Sequence, residues 1–301
     1  MPLNGTDREK VQQAANDFAK KLKLEKRMEV RLRELFTIIT SDFAAFYAAT
    51  GNVIDANNYS DDFRGIVSSQ YRRTVKAFSK NIVKFLKKNK TNNKEKIIRD
   101  LRAIAGSTGV SIDDLINSLE NSISRDTEAF IRTNVVSSVD SITRTTQKDL
   151  DKSVTKARQS LTDELGIDPT RRQIAATASV TFRQASFNRV GTISASTTQN
   201  AAEGSKQIER DNFLSTVNSI EAREAGVTPR KPGEVWITMG DSKVRDGSQS
   251  RFNHLSADFQ EKKNGVFTVS NELLRFPSDR SLGASAGNTT NCRCSAVMVI
   301  E

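Results

Sequence analysis

Apolar residues over the first half of this chain recur at three- and four-residue intervals, and that period dictates helices. Leu32, Leu35, Phe36, Ile39, Phe43 and Phe46 form one stripe, and Tyr71, Val75, Phe78, Ile82 and Phe85 a narrower second seam. Ile112, Leu115, Ile116, Leu119 and Ile123 form a third. Ile131, Val135, Val139, Ile142, Leu150, Val154, Ala157 and Leu161 form a fourth. A 3.6-residue period keeps each set on one helix face, and such a face has to be buried. The seam at 71–85 therefore reads as packing surface on one basic helix, and a long helix is expected from about Thr127 to Leu165.

Punctuation supports these limits. The turn-rich run Thr50 to Tyr59 ends the first helix, and Lys87 to Lys96 is a polar, basic loop. Ser111-Ile-Asp-Asp114 resembles a capping box. Gly166 is a C-cap candidate, and Asp168-Pro169 supplies an N-cap and first-turn pair. Two further helices then cover about 169–225, rich in Ala, Ser and Thr, whose small side chains permit close packing. The texture changes at Thr228-Pro-Arg-Lys-Pro-Gly233. Beyond it lie the β-like pieces Glu234–Met239, Gly265–Val269 and Ser295–Ile300, separated by turns at Lys263-Asn-Gly265, Phe276-Pro-Ser-Asp279 and 283–288. The expected fold is α+β: a long, mainly α-helical N-terminal region and a small C-terminal α+β module with a short antiparallel sheet. Along the chain this divides into a basic helical region (1–165), a helical lead-in (166–228) and the module (229–301).

The charge is asymmetric. Residues 1–110 hold 22 Lys/Arg against 12 Asp/Glu, whereas residues 111–301 hold 24 of each, so the whole net charge of +10 lies in the first third. It peaks in 71–90, which has eight basic and no acidic side chains. Arg72, Arg73, Lys76, Lys80, Lys84, Lys87, Lys88 and Lys90 are the candidate nucleic-acid contacts, because a cationic block draws polyanions by releasing their counterions. The alternatives are an acidic protein neighbour, an anionic membrane surface, or a solvated face that binds nothing.

With 36% hydrophobic and 27% charged residues, the composition is that of neither a disordered nor a membrane-spanning chain. The start, Met-Pro-Leu-Asn-Gly-Thr-Asp-Arg, has no apolar signal core, and the sequons at Asn4 and Asn288 carry no weight without secretion. The two cysteines, Cys292 and Cys294, are no disulfide framework, so a reducing compartment is expected. The single histidine, His254, limits catalysis. No Walker, His-Glu-x-x-His or Gly-x-Gly-x-x-Gly motif is present.

The C-terminal segment resembles a known family. Trp236, Asp241, the pair Arg245-Asp246, His254, the turn Pro277-Ser-Asp279 and the ending Asn291-Cys292-Arg293-Cys294 are similar, in order and rough spacing, to the phage Mu F-like minor head (head-morphogenesis) proteins. The stretch Arg189 to Ala202 fits the helix that leads into that module. There are two departures. Gly247 to Asn253 separates His254 from Arg245-Asp246, and Ser196-Thr197-Thr198 stands where the family commonly has a Thr-Glu pair. The resemblance implies a structural protein of the virion, in the head interior or at the portal vertex, passing through the host cytoplasm during assembly. The implied partners are the portal or major capsid protein and packaged double-stranded DNA, with no membrane.

Two chemical readings of the polar residues stand beside it. Cys292 and Cys294, two apart on a strand, share a face, and with His254 and Asp241 or Asp246 they make a tetrahedral zinc set. Against this, the cysteines pack as small apolar residues while Arg245, Asp246 and His254 hold the loops by hydrogen bonds, with no cofactor. The enzyme alternative is a phosphodiester-cleaving nuclease with His254 as general acid or base, beside Asp246, and Arg245 or Arg293 on a phosphate oxygen. A third reading is a DNA-binding module unrelated to phage.

Overall fold

The computed structural model describes residues 6–92, 95–229, 233–239, 244–248, 251–290 and 292–299. The helices are α1 (Asp7–Thr50), α2 (Ser60–Phe78), α3 (Asn81–Asn89), α4 (Lys96–Thr108), α5 (Ile112–Leu165), α6 (Arg171–Val217) and α7 (Ile220–Glu224). The strands are β1 (Gly233–Ile237), β2 (Phe267–Val269), β3 (Glu272–Leu274) and β4 (Ser295–Val299), with a one-turn helix α8 (Ala286–Thr289) before β4. The fold class is therefore α+β, as expected. None of the helices described is long and apolar enough to cross a membrane.

Several boundaries follow from local chemistry. Ser111 caps α5: its Oγ accepts from Asp114 N–H at 3.1 Å, so the helix starts at Ile112 and absorbs the third stripe as well as the fourth. Gly166 ends α5 at φ 65°. The N-cap of α6 is Thr170 rather than Asp168, because Thr170 and Gln173 exchange a capping box, with Thr170 N–H donating to Gln173 Oε1 at 2.9 Å. The expected single helix over 71–90 is instead two. Ser79 is buried and Lys80 takes left-handed φ 64°; the Asn81 side chain donates to Phe78 O, and the Ile82 N–H donates to the Glu209 carboxylate at 2.6 Å. The first stripe ends on buried Tyr47, not Phe46, which is 43% exposed. Val154 and Leu161, expected in the fourth stripe, are only half-buried.

The chain forms two compact units, neither continuous in sequence. One comprises residues 1–21, 73–131 and 198–301; the other comprises 22–72 and 132–197. The second unit is all helix. Its aromatic centre joins α1, α2 and α6: Phe36 lies 5.7 Å from Phe63 and 6.4 Å from Phe182, and Phe43 lies 6.3 Å from Phe182, ring centre to ring centre.

The described residues of the first unit form three apolar clusters. Ile82, Leu86, Ile98, Leu101, Ile116, Leu119, Ile123, Phe213 and Val217 join α3 and α4 to the start of α5 and the end of α6. Gly204 lets α6 approach α5, since a Cβ there would run into the Phe130 ring. β1 and β4 pair antiparallel, with Val235 opposite Val297 and Trp236 opposite Ala296. Alternation sends Val235, Ile237 and Val297 toward Ala14 of α1. It sends Trp236 and Ala296 to the other face, with Phe267, Val269, Leu274, Cys292 and Cys294. β2 and β3 form a separate hairpin through Ser270 and Asn271, both left-handed at φ 52° and 65°. That hairpin was not expected, because the turn lacks the usual Asn-Gly.

Buried charge fixes the β1–β4 sheet to the helices. Glu203 of α6 receives Lys21 of α1 at 2.6 Å and Lys206 at 2.9 Å, and its Oε2 accepts the Ala296 N–H of β4 at 3.0 Å. Lys206 also donates to Ala296 O at 3.1 Å. On β1, Glu234 binds Arg210 of α6, and Lys262 at 2.6 Å. Burial opposes ionisation of Glu203, but Lys206 and then Lys21 outweigh it and hold its carboxyl below the ordinary value.

Two outcomes follow. Glu203→Ala strands the buried Lys21, whereas Lys206 keeps Asp17, and should cost about 3–5 kcal/mol in urea unfolding followed by Trp236 fluorescence; a loss within measurement error would remove this anchor from the account. Burial raises Glu209 from 4.5 to about 7, against the helix N–H groups of Ile82, Asn81 and Val83. Because this raised carboxyl binds its proton more tightly folded than unfolded, its contribution is complete below pH 4.5 and disappears as pH rises to about 7. The stability of Glu209→Gln relative to the parent should therefore increase by about 3 kcal/mol over that interval. A constant difference would contradict the assignment.

Candidate metal centre

His254 opens a short 3-10 turn, Leu255–Ala257, and its backbone N–H donates to Arg245 O at 2.7 Å. Its ring is buried, edge-on to Trp236 at 5.9 Å between ring centres. On one side Nε2 lies 2.8 Å from Asn288 Oδ1. The Asn288 amide nitrogen donates to Val269 O and to Glu272 Oε2, each at 3.0 Å, so its oxygen is the atom turned to the ring and accepts the Nε2–H. α8 can bring Asn288 this close because residue 287 is glycine; a Cβ there would strike the Phe252 ring.

That arrangement leaves Nδ1 as the acceptor nitrogen, facing both thiols. Cys294 Sγ lies 3.4 Å and Cys292 Sγ 3.7 Å from it, and all three ligand atoms lie within 4.8 Å of one another. Tetrahedral zinc with Zn–S ~2.3 Å and Zn–N ~2.05 Å requires an S···N edge of ~3.6 Å, so both separations suit it. Burial opposes both charged forms, yet the hydrogen bond and charge of Cys292 keep His254 above its ordinary pKa. Burial likewise opposes the Cys292 thiolate, but Cys294 and His254 outweigh it and hold its pKa well below the ordinary value. Burial and the neighbouring Cys292 push Cys294 up. The pair thus favours one thiolate and one thiol. Ligand sulfur, hydrogen-bonded histidine and a dry shell are what a metal site of this type needs.

The other motif residues hold the surrounding loops. Arg245 donates to Thr290 O, one residue before the Asn-Cys-Arg-Cys ending. Pro277 sits in a buried turn closed by Asp279 N–H to Phe276 O at 3.0 Å. Asp279 accepts from the N–H groups of Arg275 and Ser281, each at 3.0 Å. The Arg293 guanidinium lies over the Phe18 ring, 4.4 Å from its centre. Asp246 is exposed and accepts from Ser248 N–H and Oγ–H, so it is not part of the metal-ligand cluster. Asp241 and Asn291 lie outside the described residues.

Of the basic residues, Arg72, Arg73 and Lys76 lie on α2 and Lys84, Lys87 and Lys88 on α3, with Lys80 between the two helices and Lys90 just after α3. Arg72 belongs to the second unit and the rest to the first. Lys80 and Lys87 both bind Glu120, at 3.0 and 2.5 Å, and Lys90 binds Asp113 at 2.8 Å. Arg73, Lys76, Lys84 and Lys88 are exposed.

Residues without a motif proved central. Asn288, held by Glu272, orients the histidine. Glu203, Lys206, Arg210 and Gln199 face the sheet from α6, with Gln199 donating to Cys294 O at 2.5 Å. A buried acid–base set on a small-residue helix is the one trace they left in the sequence.

No family model, curated protein or solved structure matches the chain. The likeness to head-morphogenesis proteins therefore rests on the motif residues alone.

If Asn288 sets the tautomer, Asn288→Ala should weaken zinc binding about 10–100-fold in competition with a chromophoric chelator. Unchanged affinity would remove Asn288 from the site.

Proposed function

We propose that this chain is a phage minor head protein, acting in capsid or portal assembly and in DNA packaging or ejection, with a non-catalytic C-terminal module. One observation carries the reading. Trp236, His254 and the Cys292/Cys294 pair, from three separate stretches of the sequence, meet in one buried cluster, while Arg245 and Asp279 brace the loops that lead to it. The same residues carry the resemblance, so the motif reads as a set that holds a fold together. The burial of His254, with both ring nitrogens engaged, favours this over its use as a general base on a polymeric substrate.

In this reading the cluster holds zinc through His254 Nδ1, Cys292 Sγ and Cys294 Sγ. When bound, the ion would cross-link the β4 end of the chain to the turn after Arg245. A fourth ligand comes from outside this trio. The strands of this segment are three to five residues long and form two separate sheets, so a cross-link adds order where apolar burial is thin. The exposed cations of α2 and α3 would face packaged DNA or an acidic wall of the particle.

Three outcomes test this. Elemental analysis of purified protein should give about one zinc per chain, lost in Cys292→Ser with Cys294→Ser; a content near zero discards the metal and leaves the structural reading. Quantitative mass spectrometry should find the chain in purified virions and procapsids, and its absence from both overturns the particle assignment. Exchanging Arg73, Lys76, Lys84 and Lys88 for Gln should lower the salt slope of DNA binding by roughly one per contact removed. An unchanged slope places the DNA contact elsewhere.

A further inference from the structure

The second unit contains an open cavity of about 520 Å³ between the start of α2 and the middle of α5. Its volume falls in the ~300–1,000 Å³ range of small-ligand sites. Asn57 and Ser60 line one side, and Asp140, Thr143, Arg144 and Lys148 the other. Gln147 is already committed: its Oε1 accepts Ala56 N–H at 2.8 Å and its Nε2 donates to Asp151 at 3.1 Å.

The side chains left over are mostly donors. Arg144 and Lys148 stand one helical turn apart, both exposed, with no carboxylate in ion-pair reach among the described residues. Like charges at this spacing disfavour a helix, and a bound anion relieves that. Asp140, the one carboxylate on the rim, is also unpaired among the described residues and can accept from a hydroxyl or amino group.

We infer that this cavity binds a nucleotide, its phosphate held by Arg144, Lys148 and the Ser60 hydroxyl and its sugar or base by Asp140. The same chemistry is presented by a free mononucleotide and by one residue of a nucleic acid strand.

Calorimetric titration of the full chain with deoxyadenosine monophosphate, inorganic phosphate and a short single-stranded oligodeoxynucleotide tests it. The mononucleotide should bind saturably, and at least about tenfold more weakly to Arg144→Gln with Lys148→Gln. The thermal unfolding midpoint of that variant should match the parent, since both positions are exposed. Lys152→Gln with Lys156→Gln, both exposed on α5 outside the cavity lining, should leave mononucleotide affinity unchanged. Asp140→Asn should erase the preference for mononucleotide over phosphate. If the oligonucleotide displaces the mononucleotide, the natural source is nucleic acid; if it does not, the source is a free nucleotide. Absence of saturable mononucleotide binding, or equal affinity in the Arg144/Lys148 variant, overturns the inference. None of these readouts involves particles or zinc, so the inference and the proposed function stand or fall separately.

Discussion

The C-terminal segment depends on the setting of one imidazole. Asn288 takes the Nε2–H of His254, and both sulfurs of the Cys-x-Cys pair gather at Nδ1. Asn288 and the cysteine pair, which follows it by four residues, thus meet a ring more than thirty residues earlier in the chain. Each has its own brace: Arg245 behind the histidine, Val269 and Glu272 behind Asn288, and Gln199 behind Cys294. Around the ring, Trp236 packs edge-on to Phe267, and Val269, Leu274 and Ala296 complete the apolar contact between the two short sheets.

A segment this sparse does not stand alone. The β1–β4 sheet rests on helical residues far away in sequence, and it does so through buried charge as well as apolar contact. Glu203 is paired with two lysines and a β4 amide, and Glu234 with Arg210 and Lys262. Such groups add little stability compared with apolar residues of the same shape, but they tolerate only one register of the strand against the helix. A one-residue slip of β4 would take the Ala296 N–H away from Glu203 and turn Cys294 out of the core. Ion pairing and cysteine clustering thus specify the same register.

Periodic features were legible in the sequence. Helical stripes, the Ser111 capping box, the Gly166 stop and the Lys263-Asn-Gly265 turn all act over a few residues, and the structure contains them. The break at Ser79–Lys80 was not legible, because apolar spacing runs through it unbroken; the cause is Glu209, more than a hundred residues away, which accepts the first N–H groups of α3. The β3 strand was hidden by an atypical turn. The discontinuous units were hidden because α1, α2, α5 and α6 each contribute to both. At the candidate site, residue types and order pointed to His254, Cys292 and Cys294. Asn288 and Glu203 could not be found, since their importance lies only in what the fold brings beside them.

The central claim is that Nδ1 of His254 and the two sulfurs form one ligand set. X-ray absorption at the zinc edge, on the full chain supplied with one equivalent of zinc, reads that set directly. The account predicts two sulfur neighbours at ~2.3 Å and an imidazole nitrogen at ~2.0 Å. A shell of oxygen and nitrogen only would contradict it.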